Sequence, residues 1–123
     1  MTTNPLARNG GLSYLHVHAE SAERCARFYE AVAGWAVERR ANGGWRFASP
    51  DGLLIGGFGD DGSGARPGAS FVPYVFVTDV DAAVGVATKR GGSVVRAPYD
   101  ENDLRLARVR DTEGNELGLW RFR

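Results

Sequence analysis

One order of secondary-structure signals occurs twice along this chain, and that repeat constrains the fold more than any other feature. In each half, a strand-like run is followed by a helix and then by three short strand-like runs. The runs lie at residues 12–19, 35–40, 44–50 and 52–58 in the first half and at 71–78, 93–98, 104–111 and 116–122 in the second. The sequence therefore predicts two β-α-β-β-β modules.

Capping residue types indicate where each helix begins and ends. Ser21 is an N-cap residue type, and Gly34 stops the first helix. Between them, apolar residues recur at helical spacing: Ala22, Cys25, Ala26, Tyr29 and Val32. Asp79 is the expected N-cap of the second helix, which covers about residues 80–90 and ends at Gly91-Gly92.

The repeat implies an α+β fold. We expect module one over about residues 12–58 and module two over about 71–123, joined by an exposed glycine- and proline-rich linker at 59–70, within one domain of residues 1–123. One helix covers only one face of a four-stranded sheet. Two paired βαβββ modules should therefore form a curved mixed sheet around a cleft, with helices on the outer face and a small-molecule site in the cleft.

Composition excludes several classes of partner. The 15 basic and 15 acidic residues cancel, whereas nucleic acids and anionic membranes attract proteins with a basic excess. A lone cysteine, Cys25, forms no internal disulfide, and no apolar run is long enough for a membrane span or a signal segment. We expect a cytoplasmic protein that binds neither nucleic acid nor membrane.

The motifs in both halves resemble those of the vicinal oxygen chelate superfamily, which includes glyoxalase I, bleomycin-resistance proteins and extradiol dioxygenases. The first half carries Leu15, Val17, residues 26–32 (ARFYEAV) and Gly34-Trp35. The second carries residues 74–83 (YVFVTDVDAA), Gly91-Gly92 and residues 111–120 (DTEGNELGLW). This resemblance implies paired βαβββ modules and a homodimer.

The resemblance also implies a divalent metal held by one residue from each of four strands. Those positions fall here on Tyr14, on Gly56 or Gly57, on Val72 or Pro73, and on Gly118. Only tyrosine among these side chains can ligate a metal. We therefore predict no cofactor, and we leave open a displaced divalent metal site.

Five side chains are the predicted ligand-binding residues of the cleft: Tyr14, His16, His18, Glu116 and Trp120. Strand alternation puts both histidines on the face of Tyr14, so they suit hydrogen bonding to a ligand or a partner subunit. They are also the candidate catalytic residues for acid–base chemistry, and with Glu116 they are the candidate displaced metal ligands. Trp120 either stacks on a planar ligand or fills the core.

Other motifs have simpler interpretations. Cys25 is expected in the core, with a nucleophilic role as the alternative. The arginines of the last two strands are expected on a solvated face, with anion binding by one of them as the alternative. They are Arg105, Arg108, Arg110, Arg121 and Arg123. The G-x-G-x-x-G run at residues 57–62 contains two aspartates and continues into the linker, so it does not predict a dinucleotide site.

Three functions follow as hypotheses. The first is a metal-free member of the superfamily that binds a small, partly aromatic or apolar molecule in the cleft, similar to the bleomycin-resistance branch. The second is an enzyme of lyase, isomerase or dioxygenase type that uses His16 or His18 as a base or as a displaced metal site. The third is an accessory or regulatory dimer with a filled cleft. The identity of the ligand stays open, as does module pairing within one chain or between two.

Overall fold

A computed structural model describes residues 4–59 and 71–123 and confirms the repeated element order. The chain divides into two compact units. Tyr14–Val72 is called module one below, and Pro73–Arg123 with the described residues before Tyr14 is called module two. Two strands cross this boundary, and each is described with the module that holds most of its residues. Each combines helix and mixed sheet, so the predicted α+β class is confirmed. The predicted linker lies outside the described residues except for Gly59.

Module one arranges its strands in the order β2-β3-β4-β1. Its elements are β1 (Leu12–Val17), α1 (Ala22–Ala33), β2 (Ala36–Arg39), β3 (Trp45–Ala48) and β4 (Ile55–Phe58). β1 and β4 pair in parallel, with Tyr14 opposite Ile55 and Val17 opposite Phe58, and the other pairs are antiparallel. A parallel pair needs a long crossover, which α1, β2 and β3 supply.

Both predicted caps of α1 are confirmed. The Ser21 hydroxyl accepts a hydrogen bond from the Arg24 backbone N–H at 3.2 Å. Gly34 adopts a left-handed φ of 71° and donates its N–H to the Glu30 carbonyl at 3.1 Å. The helix therefore begins and ends where the sequence indicates.

An aromatic-rich core lies between α1 and its sheet. Its buried members are Val17, Ala26, Trp45, Phe47 and Phe58. Trp35 stacks on Phe47 with ring centroids 4.1 Å apart. Cys25 packs against this cluster as predicted, whereas Val32, which shares its helical spacing, is 69% exposed. Val32 lies at the edge of the apolar stripe, in the last turn of the helix.

Module two repeats the arrangement with the strand order β5-β8-β7-β6. Its elements are β5 (Phe71–Phe76), α2 (Val80–Lys89), β6 (Ser93–Glu101), β7 (Leu104–Arg110) and β8 (Glu116–Phe122). β5 and β8 pair in parallel, with Tyr74 opposite Gly118. The Asp79 carboxylate accepts the Ala82 N–H at 3.0 Å, so the predicted N-cap of α2 is confirmed.

Some strand ends differ from the predicted ones. β1 ends at Val17, and β4 begins only at Ile55. The preceding residues form a turn, because the Ser49 hydroxyl accepts the Leu54 N–H and the Asp51 carboxylate accepts the Leu53 N–H. β6 extends to Glu101, past Pro98, which an edge strand tolerates because its outer N–H positions need no partner.

The turn between β7 and β8 is organised by one carboxylate. Asp111 accepts hydrogen bonds from the backbone N–H groups of Glu113 and Asn115 and from the Asn115 side chain. These bonds, the Asn115 side chain first, lower the pKa of Asp111 below its ordinary value. The DTEGN motif therefore has a local structural role here.

Neither α1, with 12 residues, nor α2, with 10, is long and apolar enough to cross a lipid bilayer, and no other helix occurs in residues 4–59 and 71–123.

Two glycines give opposite predictions for the same substitution. In Gly56→Ala, the new methyl group would clash with the Leu15 carbonyl and the Phe47 ring, so the free energy of unfolding should fall by about 2 kcal/mol or more. Gly85 lies exposed inside α2, and a Cβ atom added there would have nothing within 4 Å. Gly85→Ala should therefore raise the free energy of unfolding by about 0.5–1 kcal/mol. Urea unfolding measures both, and equal effects would contradict the packing around Gly56.

Candidate functional site

Strand alternation divides each sheet into a helix-covered face and an open face. In module one, Val17, Phe47 and Phe58 point toward α1 and belong to the core. Their neighbours along the strands, His16 and Arg46, therefore lie on the opposite face. We call that face of module one the open face.

A cavity of about 320 Å³ lies on the open face of module one. Its floor is one row of side chains in register across the four strands, Ala36 opposite Ala48, Ala48 opposite Ile55 and Ile55 opposite Tyr14. Two alanines leave space that larger side chains would fill. We call this space the module-one cavity.

Charged groups border the module-one cavity. Glu38 and Arg46 face each other in the next row, and their carboxylate and guanidinium groups lie 3.0 Å apart. Arg40 lines the same cavity at the end of β2. The cavity therefore joins an apolar floor to a charged edge, a combination typical of small-molecule sites.

Gly57 leaves a gap between Tyr14 and His16 on the same face. A Cβ atom at Gly57 would lie 3.2 Å from the Tyr14 hydroxyl oxygen and 3.9 Å from His16 Nδ1. Gly57 stands opposite both Arg46 and His16 in the sheet register. Of the two glycines that correspond to one metal position of the superfamily, only Gly57 lies on the open face, because Gly56 points into the core against Phe47.

One hydrogen bond sets the tautomer of His16. Its Nε2 lies 2.8 Å from the Gly59 carbonyl oxygen. A carbonyl can only accept, so Nε2 carries the proton and Nδ1 is the basic nitrogen of the neutral ring. His18 is buried, with its ring centroid 4.9 Å from that of His16 in an edge-on contact. The structure thus brings Tyr14, His16 and His18 together in module one.

The residues at the superfamily's metal positions do not fit a divalent ion. Tyr14 and Gly57 occupy the two positions of module one, and a glycine has no side-chain donor. On β5, Val72 shares a face with Tyr74, whereas Pro73 shares the helix-covered face with Val75, and neither side chain has a donor atom for a metal. Within the described residues, no group of three or more His, Cys, Asp or Glu side chains could hold a metal ion.

The fourth position, Gly118, is covered by a ring. A Cβ atom at Gly118 would overlap the ring of Tyr74, which stands directly opposite on the neighbouring strand β5. A carboxylate side chain at this position would therefore need Tyr74 to move.

The predicted solvated face of the last two strands is wrong for Arg108. Its side chain is only 9% exposed, and its Nε lies 2.8 Å from a Glu116 carboxylate oxygen. Both residues lie on the face of module two opposite α2, since Ala107 and Leu117 belong to the core beneath the helix. Charge alone suggested exposure, but the strand register places Arg108 beside Gly118 and within reach of Glu116.

Trp120 is buried and has several partners. Its Nε1–H donates to the Ser13 hydroxyl at 3.0 Å. Phe76 and Phe122 each pack edge-on against its ring at centroid distances of 5.0 Å. These contacts favour the core alternative over stacking on a ligand, and the Glu116–Arg108 pair similarly gives Glu116 a structural partner.

The remaining candidates have structural surroundings. Burial raises the pKa of the Cys25 thiol, partly offset by Arg24, which counts against a nucleophile. Arg105 binds Asp81 and Asp100, and its hydrogen bonds to these carboxylates raise its pKa. The end of the G-x-G-x-x-G run, residues 60–62, lies outside the described residues.

A second cavity, of about 330 Å³, lies on the helix side of module two. Its lining is mainly apolar and includes Ala83, Val86, Ala87 and Leu119. None of the five predicted ligand-binding residues lines it, but Arg110, one of the arginines considered for anion binding, does.

Sequence reasoning missed the charged edge of the module-one cavity. Ala36, Glu38, Arg46 and Ala48 alternate with apolar residues along two short strands, which is the signal for a common face. Their pairing across the sheet, and hence the cavity, depends on a register that alternation does not give.

Comparisons with known proteins agree with this fold. A family model described as "Glyoxalase-like domain" matches residues 14–120. Proteins of Mycobacterium tuberculosis and Mycobacterium bovis that carry the description glyoxylase, CFP32, are 25% identical over an alignment of 120 positions, and the alignment covers 92% of this chain and 46% of theirs. The chain thus spans about half the length of the curated relatives it matches.

Solved structures with similar folds include enzymes. Methylmalonyl-CoA epimerase from Mycobacterium tuberculosis aligns with a TM-score of 0.63 and 16% identity over 98% of this chain and 91% of that one. A structure described as an NAD-dependent benzaldehyde dehydrogenase from Legionella pneumophila aligns with a TM-score of 0.62 and 13% identity over 89% and 98%. At these identities the likeness shows the fold alone.

The buried pair of module two predicts non-additive effects on stability. Glu116→Gln removes the carboxylate next to the buried Arg108 guanidinium and should lower the free energy of unfolding by about 2 kcal/mol or more. The double variant Arg108→Met with Glu116→Leu removes both charges and should be nearer to the wild type. Chemical unfolding of the two variants measures the difference. A double variant less stable than Glu116→Gln would contradict this account.

Proposed function

The chain belongs to the glyoxalase-like family of the vicinal oxygen chelate superfamily, and we propose that it uses this fold to bind a small organic molecule without a metal ion. The ligand occupies the module-one cavity. It places its apolar part on the floor of the cavity and its polar part toward Tyr14 and Arg46. Binding alone is the function in this proposal.

The cavity itself is the observation that carries the proposal. About 320 Å³ is within the range of small-molecule sites, at its lower end. The apolar floor supplies hydrophobic contact, and hydrogen bonds from the tyrosine hydroxyl and the guanidinium can fix the orientation of the ligand. In a packed core, larger side chains would fill the space that Ala36 and Ala48 leave open.

Metal independence is supported by the donor set. Gly57, Val72 and Gly118 offer no side-chain ligand, and the Tyr74 ring covers Gly118. His16 uses Nε2 for the Gly59 carbonyl, and Glu116 is paired with Arg108. These partners count against the displaced site as well.

Filling the cavity should abolish binding. We expect compounds from a fragment library to raise the melting temperature of the wild type, because a ligand at one hundred times its Kd stabilises the native state by about 2.7 kcal/mol. The same compounds should have no effect on Ala48→Phe, whose ring would occupy the cavity. Thermal-shift measurements, with affinities from NMR titration, test this.

The matched control is Ala87→Phe, which fills the second cavity on the helix side of module two and should retain binding. Compounds that bind wild type and Ala48→Phe equally would contradict the assigned cavity. The absence of any binding compound would favour the accessory dimer with a filled cleft. Stoichiometric metal in the purified protein, lost in a His16→Ala, His18→Ala double variant, would contradict metal independence.

Catalysis by His16 is the second candidate function, and one observation favours it. The Gly59 carbonyl fixes the proton on Nε2, so Nδ1, which faces the Gly57 gap near the Tyr14 hydroxyl, is the nitrogen able to accept a proton. A ligand that reached this gap from the cavity would meet a base and a hydroxyl together. The curated relatives described as glyoxylases make an enzyme a reasonable second candidate.

Proton abstraction can be tested on the compounds found to bind. If His16 acts as a base, carbonyl compounds with an acidic C–H group should exchange it for deuterium in D2O faster with the protein than without it. The rate should rise with pH, because only the neutral imidazole can accept the proton. Proton NMR follows the exchange. Unchanged exchange in His16→Asn, with binding retained, would exclude this role.

A further inference from the structure

The charged edge of the module-one cavity carries more positive than negative charge. Arg46 and Glu38 form an ion pair in which the two side chains are 50% and 63% exposed. Arg40 lines the same cavity, and no carboxylate partner accompanies it within the described residues. Two guanidinium groups therefore share one carboxylate at this edge.

An ion pair this exposed is weak. Half or more of each side chain stays in contact with water, and such pairs contribute about 0–1 kcal/mol. The Glu38 side chain can turn into solvent at little cost. By contrast, a carboxylate held in the cavity can bind Arg46 with two parallel hydrogen bonds while its apolar part covers the alanine floor.

We propose that the ligand of the module-one cavity is a small amphipathic carboxylate, and that its acid group replaces Glu38 on Arg46. Glu38 thus occupies the place of the ligand's carboxylate in the free protein. The apolar part of the ligand lies on Ala36, Ala48 and Ile55. This inference rests on the proposed function, because it assigns a substrate class to the same cavity.

In this proposal, two carboxylates compete for one guanidinium. Substitutions of Arg46 and of Glu38 should therefore change the affinity for an acid in opposite directions. Arg46→Gln removes the group that binds the acid and should weaken binding of a carboxylate by about tenfold or more. Glu38→Gln removes the competitor and should tighten binding by about twofold to fivefold. An ion pair remote from the ligand would give no such opposition.

The probes are matched acids and primary amides: benzoate with benzamide, and hexanoate with hexanamide. NMR titration of the full chain gives the affinity of each and locates it through the backbone signals of Ala48 and Ile55. We expect the acids to bind more tightly than the amides. The preference should fall in Arg46→Gln and increase in Glu38→Gln.

The control pair is Arg27 with Glu30 on α1, an ion pair at 3.1 Å with similar exposure outside the cavity. Arg27→Gln and Glu30→Gln change net charge in the same way and should leave the affinities unchanged. Unfolding curves for all four variants separate lost binding from lost folding.

Three outcomes would overturn the inference. Amides that bind the cavity as tightly as the acids would leave the proposed function intact and remove the carboxylate assignment. Effects of the same sign in Glu38→Gln and Arg46→Gln would show that Glu38 does not compete. If the probes shift no signals at Ala48 and Ile55, the carboxylate assignment fails, and the fragment screen on Ala48→Phe decides separately whether the cavity binds ligands at all.

Discussion

Each module has one helix for four strands, and the rest of the structure depends on that ratio. A helix buries only one face of its sheet, so strand alternation divides the residues into core and open face. In module one, Val17, Phe47 and Phe58 pack beneath α1. The polar residues between them face the other way and become available for binding. A cavity of small and charged side chains follows from this division.

Glycine has a different consequence on each face. At Gly56, the Leu15 carbonyl and the Phe47 ring leave no room for a side chain, so the residue is required by packing. At Gly57, one position along, the missing side chain opens a gap between Tyr14 and His16. Gly118 in module two is covered by the Tyr74 ring instead. Glycine thus allows close packing in the core at Gly56, leaves a gap in the site at Gly57 and makes room for an aromatic ring at Gly118.

Local signals in the sequence predicted most of the architecture. The caps at Ser21, Gly34 and Asp79 act through hydrogen bonds to residues three or four positions away, so composition and spacing suffice to find them. The order of the elements and the α+β class follow. Strand ends were less accurate, because the turn before Ile55 depends on side-chain bonds from Ser49 and Asp51.

The site itself was predicted only in part, because it depends on register. Tyr14 and His16 were found on one face from alternation alone. The neighbours that complete the cavity come from β2, β3 and β4, and their alignment depends on backbone pairing rather than on local sequence. The predicted exposure of Arg108 was wrong for the same reason, since its burial is set by the strands on either side of it.

Two Arg–Glu pairs on open faces show how burial decides the role of the same chemistry. Arg108 and Glu116 are mostly shielded from water, so separating them would leave a charge in a poorly solvated place. Arg46 and Glu38 lie mostly in water, so either can change partners at little cost. The first pair therefore suits a fixed part of the fold. The second suits a site where a ligand's acid group replaces a side chain, because the exchange preserves the charge around Arg46.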